Sequence, residues 1–267
     1  MNLIDVHCHL IQEQFKPDLD TVIKRAEKAG VKAILVSGIN PEANREVLKL
    51  AKLYPVIKAS LGIYPIDALG LEPDETGLPV HKGPINLQEE FTFIKKNLKE
   101  VAAIGEVGMD FHWATKEETE AQQAENFRKI IRFSLSVKKP IVIHSREAEE
   151  ECITILEQEI KHQEIPVIQH CFSGRKSLMS RAAALGHYFS IPPNIVLSSN
   201  FQTLVKKTDL KQLLTETDAP WLSPKKGERN EPANVLQTIK KIAEIKELTV
   251  EETAAHIWEN YQRIFGN

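Results

Sequence analysis

Eight short apolar runs rich in β-branched residues recur through this chain of 267 residues, at 3–8, 32–37, 56–61, 101–106, 140–144, 165–170, 187–191 and 212–217. Segments of helical periodicity separate them, at 18–29, 41–53, 87–99, 117–138, 147–160, 176–185 and 233–246, most of them opened by Asp, Pro, Ser or acidic residues. The stretch 198–211, between the seventh and eighth runs, is short and only weakly helical in pattern. Runs this apolar are buried on both faces, and their alternation with helices implies parallel strands joined by crossovers. Eight such units predict an α/β fold closed into a (β/α)8 barrel, a single domain over 1–267. An open doubly wound sheet is the alternative, but it would spread functional side chains along a crevice instead of gathering them at one centre.

Six side chains that metals favour, His7, His9, Glu106, His144, His170 and Asp218, lie near the ends of these runs. Residues two apart on a strand project to the same side. In Asp5-Val6-His7-Cys8-His9 both imidazoles therefore share a face with Asp5, while Ile4, Val6, Cys8 and Leu10 supply a packing face. By the same counting Glu106 shares a face with Asp110, His144 with Arg146, and Asp218 with Glu216; His170 follows Val-Ile-Gln in the same fashion. This is the layout of a metal site at the mouth of a barrel. A lone histidine at a strand end is ordinarily a hydrogen-bonded structural residue, and His81, His112, His162, His187 and His256 are read that way. The His-x-His spacing and the placement after apolar strands set the other four apart.

Composition narrows the class. A hydrophobic content of 42% provides for a sizeable core. A net charge of -3 and a pI near 6.3 argue against a protein that coats long nucleic acid, though not against a local phosphate pocket. Lysine clusters at 206–211, 225–226 and 240–246 read as solvated faces. Cys8, Cys152 and Cys171 form no C-x-x-C pair and are expected to be reduced thiols, with Cys8 and Cys171 turned away from the adjoining ligands. No apolar run approaches the roughly 20 residues of a membrane helix. The first residues lack the basic segment and long apolar segment of a secretory signal, so a cytoplasmic monomer without membrane association is expected. Two stretches look inserted beyond strand ends: 65–86, rich in Pro and Gly, and 219–232, with Pro220, Pro224 and Pro232. Such loops build the active face of a barrel.

Asp-Val-His-Cys-His at 5–9, Gly-Glu-Val-Gly-Met-Asp at 105–110, Ile-His-Ser-Arg at 143–146, His-Cys-Phe-Ser-Gly at 170–174 and Glu-Thr-Asp-Ala-Pro-Trp-Leu at 216–222 occur in this order. Together they closely resemble the TatD-like metal-dependent hydrolases, over the whole chain. Arg229-Asn230-Glu231-Pro232 is similar to the loop after the last strand in that family, and Ser190-Ile191-Pro192-Pro193 to a segment of one of its branches. The resemblance implies a TIM barrel, divalent metals and nuclease activity. One departure stands out: many members have Gly-x-His-Pro after the third strand, where this chain has Gly62-Ile63-Tyr64-Pro65. Tyr64 can donate a hydrogen bond to phosphate but is a poor neutral metal ligand.

This ligand set suffices for two divalent ions, Zn, Mn or Mg, if one carboxylate bridges them, and Glu106 is the best bridge. The inferred partition gives His7, His9, Glu106 and Asp218 to one ion and Glu106, His144 and His170 to the other. Asp218 and Glu106 are the catalytic candidates, with Asp218 accepting the proton of the attacking water. Asp5 fits a ligand-supporting role, and Asp110 could orient a ligand or line the groove. Arg146 is the first choice for a phosphate contact. Ser173 and Gly174, followed by Arg175, could meet a second phosphate, with Tyr64, Arg229 and Asn230 as further substrate candidates. The leading expectation is a deoxyribonuclease acting 3′ to 5′ on single-stranded or frayed DNA, with RNA as another possible substrate, the polarity being what the resemblance implies. The alternative is an ester or amide hydrolase such as a D-aminoacyl-tRNA deacylase. A binding-only barrel with structural metals is a third reading, disfavoured by the complete ligand set.

Overall fold

In the computed structural model, which describes residues 1–71, 77–160 and 164–266, eight parallel strands run in chain order around a barrel. They are β1 (Leu3–Cys8), β2 (Val31–Ser37), β3 (Ile57–Leu61), β4 (Val101–Gly108), β5 (Ile141–His144), β6 (Val167–His170), β7 (Tyr188–Ile191) and β8 (Leu213–Thr215). The seven sequential pairs are all parallel. Between β8 and β1, Thr215 Oγ1 donates to the Ile4 carbonyl at 2.6 Å, and the amides of Thr217 and Asp218 donate to the His7 carbonyl at 3.3 and 2.9 Å. These bonds bring the last strand to the first and make the expected TIM barrel.

The covering helices are α1 (Leu19–Ala29), α2 (Pro41–Leu53), α3 (Pro65–Ala68), α4 (Leu87–Lys96), α5 (Lys116–Val137), α6 (Glu149–Glu159), α7 (Lys176–Ala184), α8 (Ser199–Lys207), α9 (Val235–Lys246) and α10 (Val250–Phe265). Local chemistry explains several boundaries. Asn40 caps α2 by accepting from Ala43 N, with Pro41 in the first turn, where its missing N–H costs nothing. Gly30 ends α1 at φ 101°, in the left-handed region that suits glycine. Thr249 and Glu252 form a reciprocal capping box on α10. That helix is absent from the periodic segments named above, although its cap was written in the sequence. The segment 198–211 also proves more regular than expected, because Ser198 accepts from Phe201 N and starts the nine-residue α8.

Strand parity sorts the side chains as expected on β1. Ile4, Val6 and Cys8 are fully buried on one face, with α9 and α10 packed against the strand, while Asp5 and His7 take the other. Burying each large aliphatic side chain stabilises the fold by roughly 1.5–3 kcal/mol. Buried polar residues Ser37, Ser60 and Ser190 bond towards the C-terminal end of the barrel, to His7, to the Gly105 carbonyl and to Glu216.

The structure corrects two details of register. β8 stops at Thr215, so Asp218 reaches inward through a turn at φ 53° and not through strand alternation. β6 stops at His170 and Cys171 has φ 45°, so strand alternation does not extend past His170, and Cys171 lies in the wall of the central pocket. Cys8 and Cys152 are buried, and all three cysteines are free. The insertion 65–86 begins with α3, and its residues 72–76 lie outside the described residues, as does His162. No described helix is long and apolar enough to cross a membrane.

Candidate metal centre

The six candidate ligands, drawn from five strand ends, meet at one point. A cavity of about 620 Å³ opens there, within the roughly 300–1,000 Å³ of small-molecule sites, and His9, Glu106, His144, His170 and Asp218 lie in its wall. A larger cleft of about 770 Å³ between α4 and α5 contains none of them. Three sets of ligand atoms each fall within 4.8 Å of one another: His7, His9 and Glu106; His7, His170 and Asp218; and Glu106, His144 and His170.

Glu106 stands between the two halves. Its Oε2 lies 3.4 Å from Nε2 of both His7 and His9, whereas Oε1 lies 2.6 Å from Nδ1 of His144 and 3.8 Å from Nε2 of His170. Asp218 Oδ1 closes the first half at 3.7 Å from His7 Nε2 and 3.5 Å from His9 Nε2. Close backbone approach makes this possible. A Cβ on Gly62 of the β3 end would meet Gly105 C at 2.4 Å and Glu106 N at 2.5 Å, and one on Gly108 would meet the His144 carbonyl oxygen at 1.9 Å. Only glycine lets β3, β4 and β5 converge on Glu106.

Three of the rings are held from behind. Ser37 Oγ engages His7 Nδ1 at 3.0 Å, Asp110 Oδ2 engages His144 Nε2 at 2.7 Å, and Glu216 Oε2 engages His170 Nδ1 at 2.8 Å. Each ring therefore turns its other nitrogen inward, the arrangement by which supporting groups orient metal-binding imidazoles. Glu216 is itself fixed by Ser190 Oγ at 2.5 Å and Cys171 N at 2.9 Å. Asp5 accepts from His7 N and from Thr217 N and Oγ1, tying β1 to the end of β8, which is a supporting position. Glu216 is the residue that strand counting placed on the right face without giving it a task. Its signal in the sequence was a carboxylate two residues before Asp218.

The electrostatics suit a cation. His7 Nε2 and His9 Nε2 face each other at 3.1 Å, and His9 Nδ1 is buried without a partner among the described residues. Two facing imidazole nitrogens can share at most one hydrogen, so a cation between them and the carboxylates satisfies lone pairs that otherwise repel. Burial and the neighbouring His170 push His7 down to about 4. Burial opposes charge on His9 and His144 too, but Asp218 and Glu106 lift His9 to about 10, and Asp110 and Glu106 lift His144 to about 9. Against their own burial, the surrounding imidazoles hold Glu106 well below the carboxylate range and lower Asp218 as well. The residues present thus fit divalent ions with mixed nitrogen and oxygen ligands.

The candidate substrate residues divide. Arg146 lies in the pocket wall, exposed, with its guanidinium carbon 5.6 Å from the centre of the Trp113 ring and no carboxylate partner among the described residues. Ser173 also lines the pocket, but its hydroxyl donates to Glu149 at 2.8 Å. Gly174 packs over Phe172, and Arg175 is paired with Glu150. Tyr64 presents its ring to the pocket but spends its hydroxyl on Asp110 Oδ2 at 2.6 Å, so it braces the support of His144 instead of offering a free donor to phosphate. The structure does not bring Arg229 or Asn230 to the pocket. Arg229 forms a two-pronged pair with Asp18, and Asn230 is fully buried, donating to the Thr217 carbonyl at 2.8 Å. Both hold the loop that carries Asp218. Of the histidines read as structural, His81, His112 and His256 pair with Glu42, Glu147 and Glu259, and His187 bonds with Gln169.

Known proteins share this architecture. The chain is 34% identical to an uncharacterized metal-dependent hydrolase, YabD, of Bacillus subtilis, over 98% of each chain. It is 29% identical to the 3′-5′ ssDNA/RNA exonuclease TatD of Escherichia fergusonii, over 99% of each. The crystal structure of a TatD homologue from Escherichia coli superposes with a TM-score of 0.86 at 24% identity, covering 99% of this chain and 98% of that one. The family model of the TatD related DNases matches residues 4–266. A barrel whose strand ends deliver four histidines and two carboxylates to one cation-ready cavity thus belongs to the TatD-related DNase family of metal-dependent hydrolases.

Proposed function

We propose that the protein is a phosphodiesterase that removes nucleotides from the 3′ end of single-stranded or frayed DNA, and that His7, His9, Glu106, His144, His170 and Asp218 hold two divalent ions. The observation that carries this reading is Glu106, whose two oxygens face different histidine pairs in a pocket that also presents Arg146 without a carboxylate partner among the described residues. The exonuclease named TatD, among the relatives, supports the choice of bond and polarity.

Bound ions would supply Lewis-acid polarisation of the phosphoryl group and acidify a water. Asp218, held in the left-handed turn by its amide on the His7 carbonyl, is poised to take the proton of the attacking water at a carboxylate oxygen. Its lowered pKa keeps it ionised and able to accept. Arg146 would hold a non-bridging phosphate oxygen pair with its fork of donors. Tyr64 and Asp110 keep the His144 ring in place.

The test is degradation of a 5′-labelled single-stranded oligonucleotide by metal-stripped protein resupplied with Mg²⁺, Mn²⁺ or Zn²⁺, beside Asp218→Asn. A metal-dependent ladder that shortens from the 3′ end and disappears in the variant is expected. No cleavage with any metal overturns the reading and transfers the site to carbonyl esters, with aminoacyl-tRNA tested next.

A further inference from the structure

The barrel mouth carries two large apolar side chains that packing does not require. Trp113 is 41% exposed and Trp221 36% exposed, yet both lie in the wall of the metal pocket. They stand on opposite sides. Trp221 follows β8, beside β1, with its ring 5.4 Å from that of His9. Trp113 follows β4 and meets Arg146, which follows β5. In a ring of eight strands taken in order, β8/β1 and β4/β5 are half a turn apart.

The backbone at each tryptophan is also tied to an aspartate of the centre. Trp113 N donates to Asp110 Oδ1 at 3.0 Å, while Oδ2 of the same carboxylate holds His144 and Tyr64. Trp221 N donates to the carbonyl of Asp218 at 2.9 Å, closing the turn that points Asp218 inward. The backbones at both tryptophans are thus set by the residues that set the ligands. The third tryptophan, Trp258, is spent on Tyr261 within α10, with ring centres 5.3 Å apart.

We propose that Trp113 and Trp221 form an aromatic clamp that stacks unpaired nucleobases on either side of the scissile phosphate, with Arg146 holding a phosphate beside the Trp113 base. The proposal rests on the phosphodiesterase reading and adds the feature that selects single strands. Indole faces stack on any base and so grip without reading sequence. A base inside a duplex has both faces covered by its neighbours, so it cannot enter such a clamp until the end frays. Arg146 favours nucleic acid over a protein partner on this rim, because a guanidinium beside an indole suits alternating phosphate and base.

The experiment compares a 5′-labelled single-stranded oligonucleotide with the same strand carrying abasic sites at its 3′-terminal and penultimate positions. Wild-type protein is expected to show a KM roughly 30-fold lower for the intact strand, the low end of the range for two lost base-stacking contacts. Trp113→Ala and Trp221→Ala should each lower that preference by about one stacking contact, and the double variant should erase it, with the smaller change in kcat, while the Phe variants should keep it. Equal KM for the two strands in wild-type protein, or a preference undiminished in both Ala variants, overturns the clamp. If wild-type protein cleaves neither strand, the phosphodiesterase reading fails separately. The clamp is then judged by tryptophan emission of the metal-stripped protein, where quenching by the intact strand but not the abasic one supports it. Absence of quenching overturns it and leaves the rim to a protein partner.

Discussion

Glu216 accepts from Nδ1 of His170 at 2.8 Å while being completely buried, and so it fixes which nitrogen of His170 faces Glu106. Burial raises the Glu216 carboxyl, and, against its own burial, His170 is raised by Glu216. Replacing the carboxylate by a methyl leaves His170 free to turn and its Nδ1 unpartnered. Glu216→Ala is expected to weaken metal binding by about 10–100-fold, the usual effect of removing such a support. Titration of the metal-stripped variant with Zn²⁺ checks this; affinity equal to wild type would remove Glu216 from the support of the centre.

Tyr64 reaches the same kind of role by a different route. Its hydroxyl and His144 Nε2 share one oxygen of Asp110. Tyr64→Phe deletes a hydrogen bond to a charged acceptor, worth about 1.5–3 kcal/mol where buried. The expected result is a drop in the denaturation midpoint together with weaker metal binding in the half of the site that contains His144. A midpoint and affinity both unchanged would show that His144 holds Asp110 without help.

Gly62 is expected to be irreplaceable even by alanine. The added methyl would stand 2.4 Å from Gly105 C and 2.5 Å from Glu106 N, both backbone atoms that no rotamer can move aside. Overpacking of this kind costs about 1–3 kcal/mol. Because the strain falls on the backbone of Glu106, a candidate ligand, Gly62→Ala should also lower metal affinity, measured by the same titration. Retained affinity despite lost stability would place the relief of strain away from Glu106.

His187 sets an acid sensitivity that has nothing to do with metals. Burial lowers it from its ordinary 6.5 to about 4, and its Nδ1 faces the Gln169 amide at 3.0 Å. The unfolded chain therefore takes up a proton near pH 6.5 that the folded chain refuses until about pH 4. Stability is fully retained above pH 6.5 and is lost as the pH falls through that window, by up to about 3 kcal/mol. His187→Gln cannot titrate, so urea unfolding should show it gaining on wild type as pH drops from 7.5 to 4.5. A constant difference between the two proteins across this range would mean that His187 has the same proton affinity in the folded and unfolded chain.

Much of this molecule was legible in the sequence because barrel geometry follows from repetition and parity. Eight apolar runs alternating with helices define the ring, and strand alternation puts Asp5 and His7 on one face and Ile4, Val6 and Cys8 on the other. The six candidate ligands stand out because metals need particular atoms, whatever the packing around them. Parity fails where strands end. Asp218 and Cys171 lie beyond β8 and β6 in left-handed turns, and their directions come from hydrogen bonds made to distant segments. The same limit governs the substrate candidates. Arg146, Arg229 and Asn230 are equally polar as letters, but Asp18 and the Thr217 carbonyl, brought close only by the closed ring, claim the latter two and leave Arg146 at the mouth. Residue type and spacing decided what chemistry the chain could offer; tertiary closure decided which of those groups remain free to perform it, because a hydrogen bond already made across the barrel is no longer available to a ligand.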